Sequence, residues 1–488
     1  MSYFAKLALQ YIDGVWRPGT GSWDLIDFDP YSGEKLASVT VATASEVDQA
    51  YRAAERTQRD WAAAGGASRA RSGGGFARRE IFERAVRLIE ERADRLAEVL
   101  ITETGTPRAR AEFELGLAQE ILREACGLAV RPGGRMLPSP VEGKENLLHR
   151  EPVGVVGVIS PFHYPFLLAL GAVAPALALG NAVVLKPHQN TPVSGGTLVA
   201  ELLEEAGLPP GLLNVLITDI AEIGDALIEH PVPRVISFTG SDKTARHVAA
   251  VAAGHFKRTV LELRGSSSFI VLDDADLAQA AQAAAFSRFV HRGQGGGASV
   301  SRVLVHRDVE REFTEEFTAR VRALRAGDPR DPETRIGPLL SPAQADAVVA
   351  LADHAIGEGA VALVRGEAEG SLVRPTVLSG LAPDSALLRQ EIFGPVAALL
   401  PFDGDEEAAR LTNDAPFGLG AAVHTRDVQR GLALARRIET GVVHLNGPGA
   451  LDEPSVPFGG RLRGEGAWEA FTTQRWVSVQ HGRSEFPF

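Results

Sequence analysis

From Val153 to Leu185 the chain carries no Asp, Glu, Lys or Arg. An uncharged run of that length either crosses a bilayer or lies buried inside a protein. Pro161, Pro165, Pro175 and several glycines interrupt it, and such breaks argue against one continuous membrane helix. Its parts read as an apolar strand from Val155 to Ile159, a turn, a helix, and a second apolar strand from Ala182 to Lys186. Strands covered on both faces are continuous apolar runs and belong to parallel sheets. The expected fold class is therefore α/β.

The same alternation of strand and helix continues downstream. Further strands are expected at Leu213 to Ile217, Val235 to Thr239 and Thr259 to Leu263, which together describe a doubly wound sheet. A second series follows near Ser268 to Leu272, Ser301 to His306, Ala360 to Arg365, Val396 to Phe402, Gly420 to His424 and Val442 to Asn446. Two α/β units are thus expected, and 488 residues exceed one ordinary core. Upstream, a short β-type opening leads into helical stretches at Ala44 to Ala64, Glu80 to Thr104 and Ala109 to Leu128, closed by Arg131-Pro132-Gly133-Gly134. The tract Gly65 to Gly75 reads as an exposed flexible loop.

Ordered motifs span the chain from about Asp29 to Gln480. They are Asp29-Pro30-Tyr31-Ser32-Gly33-Glu34, Ser160-Pro161-Phe162-His163-Tyr164-Pro165, Gly180 to Pro187 (Gly-Asn-Ala-Val-Val-Leu-Lys-Pro), Gly207 to Val215, Phe238-Thr239-Gly240-Ser241, Leu261-Glu262-Leu263, Gly293-Gln294, Glu391-Ile392-Phe393-Gly394-Pro395-Val396, and Pro457-Phe458-Gly459-Gly460. In this order they resemble the aldehyde dehydrogenase superfamily. The tract His444 to Pro448, with Asp452-Glu453-Pro454, is most similar to its benzaldehyde and vanillin dehydrogenase branch.

The resemblance implies an aldehyde dehydrogenase-like fold of two doubly wound α/β domains plus a small β oligomerisation flap. Residues 1–128 and 152–262 would form the dinucleotide-binding domain, 263–450 the catalytic-type domain, and 129–151 with 470–488 the flap. It also implies NAD(P)-dependent oxidation of an aromatic aldehyde to the acid in a homodimer or homotetramer. That reaction needs a thiolate to attack the aldehyde. The position implied for the thiolate, two residues after Gln294, is Gly296, and the only cysteine is Cys126. His163 stands where the family has an asparagine that donates to the oxyanion, a task an imidazole nitrogen can also perform. Glu262 matches the general base; an apolar cleft would raise its pKa, whereas Arg264 would lower it.

For the cofactor, NAD or NADP, the resemblance implies that Lys186 bonds the adenosine ribose. Gly240-Ser241 would meet the pyrophosphate at a helix N-terminus, although the later glycine of that turn is Ala245. Glu391 would hold the nicotinamide ribose, Phe393 would pack beside the nicotinamide, and Ile159, Ser160 and Phe162 would line the site. Gln189 replaces a glutamate that repels a 2′-phosphate, while Asp219 adds a charge near the adenosine.

Other partners are disfavoured. A net charge of −12 opposes nucleic-acid binding. The 12 histidines show no ligand spacing for a metal. A single cysteine fits a reducing cytoplasm, and the N-terminus reads without a secretion signal. Two functions stay open: an active dehydrogenase, or a catalytically inactive relative with a cofactor-binding, structural or regulatory role.

Overall fold

The computed structural model describes residues 3–63, 74–131, 133–263, 265, 267–291, 300–415, 418–449, 453, 456 and 466–483. The uncharged run forms the strand Val155–Ile159, the helix Pro165–Ala178 and the strand Ala182–Lys186. Both strands and the helix are almost wholly buried, which explains the absence of charge along them. Among the described residues no helix is long and apolar enough to cross a membrane.

The first 7-stranded sheet runs, in spatial order, Arg258–Leu263, Val235–Gly240, Val155–Ile159, Ala182–Lys186, Leu213–Val215, Gln10–Ile12 and Val15–Arg17. The first five are parallel, and the N-terminal hairpin closes the edge in antiparallel fashion. Helices Ala44–Ala63, Gly75–Glu91, Ala93–Thr104 and Arg108–Val130 pack their apolar faces into the same core as these strands. Gly75 thus begins a helix instead of ending the expected loop, and the rest of that tract up to residue 73 lies outside the described residues. The expected helix from Glu80 to Thr104 is two helices, broken at Arg92.

A second 7-stranded sheet runs Val361–Val364, Thr376–Ser379, Val396–Phe402, Val300–His306, Ser267–Val271, Gly420–His424 and Val442–Leu445. All its pairings are parallel except that of Val361–Val364 with Thr376–Ser379. Its two faces are covered by separate apolar clusters, as a parallel sheet requires. A 3-stranded antiparallel sheet joins Gly134–Leu137, Lys144–Pro152 and Thr472–Gln480. Met136, Leu137, Trp476 and Val477 on it are exposed. Asp24–Phe28 and Lys35–Thr40 form a separate hairpin.

Candidate active site

In the first sheet Val155–Ile159 is the earliest of the parallel strands. The chain adds Ala182–Lys186 and Leu213–Val215 on one side, then returns to lay Val235–Gly240 and Arg258–Leu263 on the other. Strand order therefore reverses between Val155–Ile159 and Val235–Gly240, and a crevice outside the carboxyl ends at such a point is where open α/β sheets bind ligands. Ile159, Ser160, Gly240 and Ser241 sit at those two ends.

Local geometry ties the strand ends together. The Ser160 amide donates to the Lys186 carbonyl (3.1 Å), and Ser160 Oγ to the Gly195 carbonyl (3.4 Å). Lys186 Nζ donates to the Pro187 carbonyl (3.3 Å). Burial pushes its amine below the ordinary lysine range, and Asp219 pulls in the opposite direction. Asp219 also accepts from the Ala221 amide (2.8 Å), capping Ile220–Ile223, whereas Gln189 is exposed. Ser241 is the N-cap of Asp242–Gly254, its hydroxyl accepting from the Thr244 amide (3.4 Å). A side chain at position 240 would put its Cβ 2.3 Å from the tip of the Phe238 ring, so any larger residue there requires that ring to shift.

An aromatic group spans from this edge to the second sheet. The Phe162 ring lies 5.6 Å from Phe393, 5.2 Å from His188 and 5.6 Å from His163, centroid to centroid. Phe393 is held by its backbone: Gln344 Nε2 donates to its carbonyl (2.9 Å). Gly394 allows the close approach of the Pro342–Gly357 helix, since a Cβ there would meet Val348 at 2.7 Å. Glu391 begins the same stretch.

The residues expected to do chemistry fall in three settings. His163 is buried, 3% exposed, and precedes Tyr164, whose φ of 44° is left-handed. That conformation is costly for a bulky residue, and interactions around Tyr164 over-determine it. Its hydroxyl donates to the His291 carbonyl (2.6 Å) and lies 2.9 Å from His291 Nδ1. The Arg110 guanidinium sits over its ring at 4.4 Å. The buried Glu114 carboxylate then accepts from the amides of Phe166 (3.0 Å) and Leu167 (3.1 Å), serving the open N-terminus of the following helix as a cap would. His291 packs edge-on to Phe113 and stacks on Phe286.

Glu262 differs from its expected surroundings. It is exposed and accepts from Thr239 Oγ1 (3.3 Å). Arg258–Leu263 is the edge strand of its sheet, so its side chains are not enclosed as those of Val155–Ile159 are. Arg264, Gly293, Gln294 and Gly296 lie outside the described residues, as do Asp452, Pro454 and the Pro457 to Gly460 motif.

Sequence reasoning missed the partners of these residues: Tyr164, His291, Arg288 and His188. One signal was available, a bulky residue directly before Pro165 at a helix start, where proline disfavours the right-handed α region. Among the described residues no group of three or more His, Cys, Asp and Glu side chains is arranged to hold a metal.

Two 7-stranded sheets and a 3-stranded antiparallel sheet carry these strand-end motifs. The chain belongs to the aldehyde dehydrogenase family, which it matches over residues 16–476. It is 46% identical over 495 aligned positions to the benzaldehyde dehydrogenase YfmT of Bacillus subtilis, covering 100% of both chains. It is 41% identical to a vanillin dehydrogenase of Corynebacterium glutamicum, covering 96% of this chain and 97% of that one. Its fold is similar to that of a NAD-dependent benzaldehyde dehydrogenase from Corynebacterium glutamicum, with a TM-score of 0.89, 38% identity, and coverage of 98% of this chain and 100% of that one.

Proposed function

We propose that the chain binds a nicotinamide dinucleotide, NAD or NADP, and an aromatic aldehyde in one cleft. In this reading the sequence as it stands does not oxidise the aldehyde at a rate typical of the family, because Gly296 supplies no thiol. The observation that carries the binding half is the meeting of Phe162, at the reversal point of the first sheet, with Phe393 from the second. The aromatic substrate is supported by the names of the benzaldehyde and vanillin dehydrogenase relatives.

The donor set fits a dinucleotide. Lys186 offers a buried amine to the adenosine ribose, the Asp242–Gly254 N-terminus offers amides to the pyrophosphate, Glu391 offers a carboxylate to the second ribose, and Phe393 offers a ring face. When bound, the dinucleotide supplies a hydride acceptor. His163 would donate to a carbonyl oxygen of the substrate, and Glu262, on its exposed edge, would take a proton from water. Residues 1–128 with 152–262 would carry the dinucleotide and 263–450 the aldehyde. The exposed flap of 129–151 and 470–488 would join subunits of a cytoplasmic homodimer or homotetramer, its apolar surface on Met136 and Trp476 being what such a contact buries.

Two measurements on the purified chain and one on a variant test this. Millimolar NAD+ or NADP+ is expected to raise Tm, because a ligand held only by the folded state stabilises it; no shift with either removes the binding reading. Benzaldehyde with either dinucleotide is expected to give no burst of reduced nicotinamide, and a burst would overturn the vacant-nucleophile reading. Gly296→Cys alone is expected to restore little turnover, since His163 and Arg264 also differ from the family pattern; substantial recovery would show that only the thiol was missing.

A further inference from the structure

The Phe286–His291 turn that leads into the glycine-rich stretch carries a charge that the reading above does not use. Arg288 is 0% exposed, and a guanidinium withdrawn so far from water is strongly destabilising unless its donors are occupied. Its Nε donates to the Val396 carbonyl (2.8 Å), and its Nη2 to the carbonyls of Ile392 (3.3 Å) and Gly394. All three acceptors lie on the stretch that Glu391 begins. Burial lowers the guanidinium pKa to about 9, and the neighbouring Glu391 carboxylate acts against that fall. A rigid planar fork aimed at alternate carbonyls of one short segment fixes the path of its backbone, and a flexible ammonium cannot do so as well.

We propose that Arg288 is a positioning residue for the nicotinamide end of the dinucleotide site, holding Glu391 and Phe393 in register with the turn that enters the glycine-rich stretch. This rests on the assignment of Glu391 and Phe393 to the dinucleotide. The adenosine end belongs to other elements, Lys186 and the first sheet, so the two ends of one ligand respond differently to a change at Arg288. A residue that merely stabilised the fold would affect both ends alike.

The experiment is isothermal titration of the full chain with NAD+ and, separately, with ADP, which carries only the adenosine end. Wild type is expected to bind NAD+ more tightly than ADP. Arg288→Lys is expected to weaken NAD+ about tenfold, the effect of losing one charged hydrogen bond, and to leave ADP within about twofold. Arg288→Met is expected to act in the same direction and more strongly. Because the methionine variant can fail to fold, Gln344→Ala approaches the same segment from the other side by removing the donor on the Phe393 carbonyl. It is expected to weaken NAD+ about threefold and spare ADP. Variants that bind NAD+ as wild type does, or that lose NAD+ and ADP in equal measure, overturn the positioning role. A wild-type chain that binds neither nucleotide overturns the dinucleotide reading itself, and the proposal with it.

Discussion

Two buried acids in the first α/β half and two buried arginines in the second hold segments of backbone with opposite charges. Around the first sheet two buried acids accept from backbone amides: Glu114 serves Phe166 and Leu167, and Glu103 serves Val193 (2.8 Å) and Ser194 (2.7 Å). Around the second sheet two buried arginines donate to backbone carbonyls: Arg288 serves Ile392, Gly394 and Val396, and Arg302 serves Leu411 (2.7 Å) in the helix Asp405–Asn413. The chemical difference has a consequence. A buried carboxylate can escape its desolvation cost by taking a proton near neutral pH, whereas a guanidinium stays charged. Of these four groups the two acids of the first half are therefore the pH-sensitive ones.

Glu114 gives the largest expected effect. Burial raises its pKa to about 7, against the opposing pull of the Leu167 and Phe166 amides and Arg110. In the unfolded chain the group titrates near the ordinary glutamate value, so between about pH 4.3 and 7 the folded state holds a proton that the unfolded state has released. Its contribution to stability is thus greatest at acid pH and falls as pH rises through 7. Glu114→Ala leaves two buried amides unpaired and is expected to cost about 2–4 kcal/mol. Glu114→Gln keeps an acceptor, costs about 1 kcal/mol, and flattens the decline of Tm between pH 5 and 8. A glutamine variant with the wild-type pH slope would break the contrast between the halves.

How much of this was legible in the sequence follows the same physical divide. The strands Val155–Ile159 and Ala182–Lys186 matched expectation to the residue, since burial on both faces writes an unmistakable apolar run. The strand Thr376–Ser379 was missed because it is short and offers little apolar pattern. The break at Arg92 was missed because arginine and the alanine after it are good helix formers. At the site, Ser160 and Phe162 follow one strand and Lys186 ends the next, and all three could be read only through the resemblance of their motifs to the family. Arg288 could not be, since an arginine on a helical run reads as a solvated charge and its acceptors lie more than a hundred positions downstream. The exposure of Glu262 was hidden for a related reason: it depends on the spatial order of the strands.

A smaller effect is expected at Asp27, where the acid-lined half contains a second proton site. Asp27 is buried beside Glu103, and burial raises both pKa values, with their mutual repulsion adding to that of Asp27. Two neighbouring carboxyl groups withdrawn from water are not both charged at neutral pH, so the folded pair retains a proton that the unfolded chain has lost. Stability from the pair consequently declines as pH rises from the ordinary carboxylate range toward and through the raised values. Asp27→Asn removes the carboxylate that repels Glu103. It is expected to raise stability at pH 8 by about 1 kcal/mol and to leave it nearly unchanged at pH 5, as thermal melts at the two pH values would record. Equal Tm changes at both would mean that the folded pair retains no extra proton.

The smallest effect is expected at Arg302, and it sharpens the comparison from the arginine side. Arg302 is 4% exposed, and burial lowers its pKa to about 10, with Asp414 opposing and Arg389 reinforcing that shift. Among the described residues its guanidinium has one hydrogen-bond acceptor, Leu411, and its Nε and Nη1 have none. Desolvation of the charge is therefore compensated far less than at Arg288, and the two residues should respond differently to the same replacement. Arg302→Met gives up one carbonyl contact while removing a poorly solvated charge, and substitutions of that kind are close to neutral. The expected change is within about 1 kcal/mol, measured as a shift in the urea midpoint at constant slope. Arg288→Met, which strands three carbonyls, should cost about 3 kcal/mol or more. Equal losses would mean that burial alone sets the worth of these arginines; a wide gap would mean that the number of carbonyls each one holds sets it.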